Sequence, residues 1–429
     1  MPDISIPWYA AIIGLAIAII LILKKFNPVY ALFFGAIVGC LLGGANLADT
    51  VNVLVAGTQS IMGTAIRVLA AGMLAGVMME SGAAEAIAHG IVTKLGESKA
   101  ILSLALSTMI ITAVGVFIPV AVLIVAPIAL SVGKQTGVSK LALLTALSGG
   151  GKAGNIISPN PNTIAAANGF DLNLSNVMIA GFIPALFGLL TTVIIANLIK
   201  NKGTMVKDAD IQEKEETQLM PLKKALIAPV LSIVLLLINP IGTLLKIDVI
   251  ANLKIDALYI LPFASIVGTI LMGHGAKVKD YATAGIKRVT DTVLILIGAG
   301  AIAGLISVSD LSTQVVNLIS AVGISGTFLA PISGILMGLA VGSTSTAVIL
   351  ATGSFGQAIL ATGTPALSAA VMVHTGAVVI DSVPQGNYFH ITASSMNMSI
   401  KERLKVVPYE MCVGGMMTLV ATVLYGFIL

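Results

Sequence analysis

Charge is what this sequence has least of. Only 10% of its 429 residues are Asp, Glu, Lys or Arg, while 57% are hydrophobic and the mean hydropathy is +1.03. A soluble domain of this size does not read that way, which leaves a polytopic membrane protein. The net charge of +4 is small and sits in loops, so it reports topology and implies no nucleic-acid partner. The only two cysteines, Cys40 and Cys412, both fall in apolar segments, which excludes a disulfide framework or a zinc ligand set. Enzyme signatures are missing too. Gly150-Gly-Lys-Ala lacks the upstream Gly and the Ser/Thr of a phosphate loop, and neither H-E-x-x-H nor G-x-S-x-G occurs. A membrane-embedded enzyme is thereby disfavoured, and no metal site or organic cofactor is expected. The N-terminus lacks a basic n-region and an A-x-A site, so Ile6 to Leu23 reads as a retained first helix.

Apolar runs of roughly 17–25 residues fill the chain, the length of membrane helices rather than of barrel strands. The predicted fold is therefore an all-α polytopic membrane protein. Helices are expected near 6–23, 29–42, 62–79 and 177–199, and again near 225–237, 258–272, 292–308 and 407–429. Between them lie two pairs of apolar arms. The first, within 94–134, turns at Gly115-Val-Phe-Ile-Pro119. The second, within 326–360, turns at Gly342-Ser-Thr-Ser-Thr346. Each pair precedes an interrupted segment, at 141–170 and 366–391. A charged linker at 201–222, with five carboxylates between Asp208 and Glu216, separates the two halves, 1–200 and 223–429.

The halves repeat one another in residues. Ala71-Gly72-Met-Leu-Ala75-Gly76 matches Ala299-Gly300-Ala-Ile-Ala303-Gly304, and Ala113-Val114-Gly115 matches Ala340-Val341-Gly342. Pro159 and Asn162 match Pro384 and Asn387. Of the 23 Lys and Arg, all but Lys246, Lys254, Arg67 and Lys152 fall at loops and ends assignable to one, cytoplasmic, face. That distribution requires inverted halves, each with about five crossings, one re-entrant hairpin and one broken helix, and places both termini outside. Secondary transporters commonly have this plan.

The stretch Ser148-Gly-Gly-Gly-Lys-Ala-Gly-Asn-Ile-Ile-Ser-Pro-Asn-Pro-Asn-Thr163 stands where a membrane helix belongs, yet its composition resists one. Backbone broken at membrane depth is tolerated only inside protein or beside a wet cavity. The expectation is a helix interrupted over 149–162, whose second half offers free N–H groups near Asn162 and Thr163 to an anion. Gly150, Lys152, Asn155, Ser158 and Asn160 complete this half of a substrate site. Ser343, Thr344, Ser345 and Thr346 at the second tip, with Gln385 and Asn387 at the second interruption, form the other. Lys152 either faces an anionic substrate, pairs with a carboxylate, or snorkels to the cytoplasmic face. Asp381 and His374 are the proton-coupling candidates, an intramembrane carboxylate being functional by default and histidine titrating near neutrality. Asp381 could equally neutralise Lys152. Arg67 reads as snorkelling outward.

Three segments then resemble the gluconate permease (GntP) family, within the ion-transporter superfamily. They are Met73 to Ala88, Ser158-Pro-Asn-Pro-Asn-Thr-Ile-Ala-Ala166, and Gly338-Leu-Ala-Val-Gly-Ser-Thr-Ser-Thr-Ala-Val348. The family loop carries a histidine where Asn160 stands, and Lys152 is not part of its pattern. The resemblance implies proton symport of gluconate or a related hydroxy-acid anion across a bacterial inner membrane. It also implies two hairpins meeting two broken helices, and a homodimer. A Na⁺/H⁺ antiporter or a Na⁺-coupled carboxylate transporter of the same superfamily remains the alternative.

Overall fold

The computed structural model describes residues 4–96, 99–211, 219–251, 255–322 and 325–429. The centre of the charged linker, 212–218, and Lys254 lie outside the described residues. The described chain is helical, with one isolated bridge between Ile6 and Ser309. In order, the first half contains α1 (Trp8–Leu23), α2 (Pro28–Leu42), α3 (Leu47–Glu80), α4 (Ala83–Leu95), α5 (Ala100–Ala113), α6 (Ile118–Thr136), α7 (Lys140–Ile156), α8 (Pro161–Gly169), α9 (Leu174–Ala180) and α10 (Phe182–Leu198). The second half contains α11 (Leu222–Ala225), α12 (Ile227–Leu244), α13 (Asp248–Ala251), α14 (Ala257–Leu271), α15 (Val278–Ser307), α16 (Leu311–Val322), α17 (Leu329–Val341), α18 (Thr344–Ala361), α19 (Ala366–Ala377), α20 (Asn387–Ser395), α21 (Ile400–Leu404) and α22 (Val407–Val423).

Among the described residues six helices are long and apolar enough to span a bilayer, and the pair α9–α10, bent by 42°, makes a seventh if counted as one span. This is fewer than the ten crossings expected from apolar runs. Helices α1, α2 and α14 have only 15 or 16 residues, about 23 Å each against a hydrocarbon core of about 30 Å. The interrupted segments divide into pieces that are shorter still. Elsewhere helices are longer than expected. α3 begins at Leu47, not near residue 62, and α15 at Val278, not near residue 292. Their polar outer turns concealed them: Asn52, Gln59 and Ser60 in one, Lys279, Lys287 and Arg288 in the other.

α3 and α15 form the central contact, an antiparallel pair seamed by glycines. A methyl on Gly57 would come within 2.2 Å of the Gly300 carbonyl, and one on Gly285 within 2.1 Å of the Gly72 carbonyl. Gly76 and Gly304 stand against the carbonyls of Tyr281 and Val53, each at 2.4 Å. These contacts form two matched sets, related residue for residue by one constant shift along the chain. Small residues let the backbones approach, and dispersion across the close seam replaces the hydrophobic drive that lipid does not supply. Phe187, Leu190, Ile194, Val234 and Phe263 on α10, α12 and α14 remain exposed, a lipid-facing surface.

The expected interruption at 149–162 is much narrower. α7 runs unbroken through Gly149, Gly150, Gly151 and Gly154 to Ile156, and the chain departs from helix only at 157–160. The reason is packing. A methyl on Gly150 would meet the Ala105 carbonyl at 2.0 Å, and one on Gly154 the Met109 carbonyl at 2.0 Å. Contact with α5 outweighs the intrinsic helix penalty of about 1 kcal/mol per glycine. Gly376 of α19 meets the Pro331 carbonyl of α17 at 2.4 Å in the same way. The second interruption is wider, 378–386.

Gly285→Ala should destabilise the protein by about 1–3 kcal/mol through overpacking. Gly415→Ala, with nothing within 4 Å of the new methyl, should be neutral. Thermal unfolding in detergent compares the two.

Candidate functional site

The helix ends created by the two interruptions converge on the tip of the α17–α18 hairpin. Lys152, fully buried on α7, donates from Nζ to the Val378 carbonyl at 2.5 Å and to Oδ1 of Asp381. The other Asp381 oxygen, Oδ2, accepts from the Thr344 hydroxyl at 2.5 Å, and Oδ1 also accepts from Ser382 at 2.9 Å. Next to Thr344, the Ser345 hydroxyl donates to Oδ1 of Asn162 at the start of α8. The second tip thus touches both interrupted segments, and Lys152 ties the first to the second.

A cavity of about 700 Å³ opens onto this junction, within the size range of small-molecule sites. Asn155, Asn162, Asp381, Gln385 and Asn387 line it together with the tip residues Ser343, Thr344, Ser345 and Thr346. Phe117, Ile118 and Pro119 of the first tip give it an apolar wall, and Lys25, Arg288 and His390 stand at its rim. The amide nitrogen of Asn155 is buried there without a partner. No side chain caps the N-terminus of α18 or of α20, so both offer N–H groups to this space. Gln385 spends its amide N–H on the Leu339 carbonyl, at 2.7 Å.

Other predicted residues lie elsewhere. Gly150 faces α5. The N–H groups of Asn162 and Thr163, expected to be free for an anion, are taken by the side-chain oxygen of Asn160 at 2.9 and 3.1 Å. Asn160 is a helix N-cap, and its amide donates to the Asn155 carbonyl at 2.9 Å. The helix starts that border the cavity without a side-chain cap are those of α6, α18 and α20. Thr163 is buried against Asn155 and Asn160. Ser158 is buried with its hydroxyl unpartnered, and so is His374, with neither ring nitrogen bonded. Neither residue lines the cavity. Arg67 holds Asp256 through Nε and an Nη, the closer at 2.6 Å, beside a smaller cavity of about 270 Å³ that Asn168 also lines. Among the described residues no three His, Cys, Asp or Glu side chains come together as a metal-ligand set.

A second buried charge pair was missed. Arg403 clasps Glu410 through both terminal nitrogens, at 2.8 and 3.0 Å, and both side chains are fully buried. Nε of Arg403 donates to Thr392 at 2.8 Å, and its guanidinium lies 4.9 Å from the Phe389 ring centroid. Ser148 donates to Glu410 at 2.5 Å, and the Tyr388 hydroxyl donates to Ser148 at 2.5 Å. Tyr388 also lines the cavity. Ser148 and Lys152 are one helical turn apart, so one face of α7 touches both pairs. The missed signal was an arginine seven residues before a glutamate that opens an apolar helix, a pattern that resembles an ordinary membrane-edge charge.

With this geometry in view, the comparisons are consistent. A sequence model of the GntP family permeases matches residues 6–428. The chain belongs to the GntP permease family. It is 46% identical to an uncharacterized transporter of Haemophilus influenzae, over 97% of each chain. It is 25% identical to the D-serine transporter DsdX of Escherichia coli over 80% of each chain, and 24% identical to that organism's high-affinity gluconate transporter over 94% and 95%. Among solved structures, the YdaH transporter of Alcanivorax borkumensis has the same fold, with a TM-score of 0.60 at 15% identity, covering 86% of this chain and 87% of that one. The family consists of transporters and permeases, and this member is a multi-pass membrane protein.

Glu410→Gln strands a buried guanidinium and should cost about 3–5 kcal/mol. Replacing both partners, Arg403→Met with Glu410→Leu, should recover much of that loss. Detergent thermal denaturation of the single and double variants measures both.

Proposed function

We propose that the protein is a proton-coupled secondary transporter of small hydroxy- or sugar-acid anions, gluconate-like in chemistry, in a bacterial inner membrane. The observation that carries the reading is the Lys152–Asp381 pair at a polar cavity where two interrupted helices and a hairpin tip meet. A carboxylate in the cavity competes with Asp381 for the lysine. If Asp381 takes a proton as the anion arrives, Lys152 keeps its charge and acquires the substrate as partner. No charge is then left stranded in a low-dielectric interior, where an unpaired ion costs several kcal/mol. Substrate and proton would bind together, which is the thermodynamic content of symport. Hydroxyls of Ser343, Ser345 and Thr346 suit a polyhydroxy chain, and the basic rim of Lys25 and Arg288 favours an anion's approach.

The matched glycine seams of α3 and α15 support inverted halves, since antiparallel pairing of corresponding helices requires a two-fold axis across them. α8 and α20 end alike as well, with left-handed Asp171 and Asn397 at equivalent places. In the orientation that puts basic ends inside, the main cavity opens to the cytoplasm and the Arg67–Asp256 pair closes the outer side. Alternating access would exchange the two.

A zwitterion is a second reading favoured by the same pair, because an amino acid meets both its charges without any protonation. The E. coli relative named for D-serine gives that comparison a probe.

Reconstituted protein should take up labelled gluconate when driven by an imposed inward proton gradient and not by a Na⁺ gradient alone. Lys152→Met should lower uptake roughly 100-fold, the scale of losing one partner of a buried charged contact. Wild-type rate and affinity in that variant would exclude the proposed role.

A further inference from the structure

The hydrogen-bond partners of the Lys152 ammonium are both oxygens, a backbone carbonyl and a carboxylate. α19 ends at Ala377, and its C-cap residue, Val378, points its carbonyl at Lys152 Nζ from 2.5 Å. A helix C-terminus carries partial negative charge and orphan carbonyls. The Asp381 carboxylate supplies the formal charge on the other side. Two hydroxyls, Thr344 and Ser382, stand on that carboxylate at 2.5 and 2.9 Å. A carbonyl, a carboxylate and hydroxyls at the end of a broken helix make an all-oxygen set suited to a hard cation. The ammonium holds this place from the opposite interrupted helix, fully buried.

We propose that Lys152 is a tethered substitute for a monovalent metal cation: its ammonium fills a Na⁺-type site built from the Val378 carbonyl, Asp381, Thr344 and Ser382. Sodium then has no place in the wild-type protein, and removing the side chain uncovers one. The charge balance makes this specific. Without Lys152 the Asp381 carboxylate is buried and uncompensated, and it must take up a proton or a cation from the cavity it lines. Of the other charged groups, Arg403 and Glu410 neutralise each other, Arg288 at the cavity rim is paired with Glu80, and Lys25 stands at the exposed edge of the same cavity. The binding claim rests on geometry alone. Its consequence, that a proton gradient and not a sodium gradient drives transport, rests on the proposed function.

The test is the melting temperature of purified protein titrated with NaCl against choline chloride at constant ionic strength. Lys152→Ala should gain a saturable, Na⁺-specific rise of about 3–6 °C up to about 150 mM. Wild type should show no Na⁺-specific shift. Lys152→Met, which fills the space, and Lys152→Ala with Asp381→Asn, which removes the charge, should show none either. If the alanine variant does not fold, the same titration of Lys152→Ser replaces it. A folded small-residue variant blind to Na⁺, or a wild type stabilised by Na⁺, would overturn the proposal. Na⁺ stabilisation of the variant beside a wild type that transports no acid would overturn the proposed function and leave this site standing.

Discussion

The ion pair between Lys152 and Asp381 is the constraint around which the membrane interior is arranged. Lys152 is fully buried and Asp381 is nearly so at the cavity wall, so each charge depends on the other to offset its desolvation. Their contact fixes the distance between the two interrupted helices, because one charge rides on α7 and the other on the chain just past α19. Thr344 and Ser382 orient the carboxylate, so the α17–α18 hairpin is registered on the same point. One turn earlier on α7, Ser148 reaches the second buried pair, Arg403–Glu410, and through it the cavity-lining Tyr388. Arginine does not give up its proton in proteins, whereas a lysine–aspartate pair can rearrange its protons. The first pair is therefore suited to change state, and the second to hold α7, α20 and α22 in place while it does.

Holding such charges requires a rigid frame, and the chain builds it from glycine. In α3 and α15, and again where α7 meets α5 and α19 meets α17, glycines stand against opposing carbonyls closer than any side chain permits. Contacts this tight do not deform gradually. They favour movement of whole units over bending within them. The proposed exchange of an inward cavity for an outward one is of that kind, with two hairpins and two interrupted helices moving as blocks.

Much of this was legible in the sequence. Lys152 and Asp381 stood out because charges within apolar runs are costly, and the Gly342–Thr346 tip because hydroxyls gathered between two apolar arms. The extent of the first interruption was misread for a physical reason: glycine weakens an isolated helix and strengthens a closely packed one, and composition does not say which applies. The free N–H groups expected at Asn162 and Thr163 were lost to a local event, since Asn160 turned back to cap its own helix. Arg403 and Glu410 were invisible because a charge at the start of a membrane helix is ordinarily solvated. Only the fold brings Thr392, Phe389 and Ser148 around them. The polar outer turns of α3 and α15 hid the length of both helices from any reading of apolar runs.

The proposed coupling requires substrate to displace Asp381 from Lys152 with uptake of a proton. Titration calorimetry of an acid anion into the purified protein, repeated in buffers of different ionisation enthalpy, counts that proton directly. About one proton taken up per anion bound, falling to none in Asp381→Asn, is the predicted result. Binding of the anion to the wild-type protein with no proton uptake across neutral pH would contradict it.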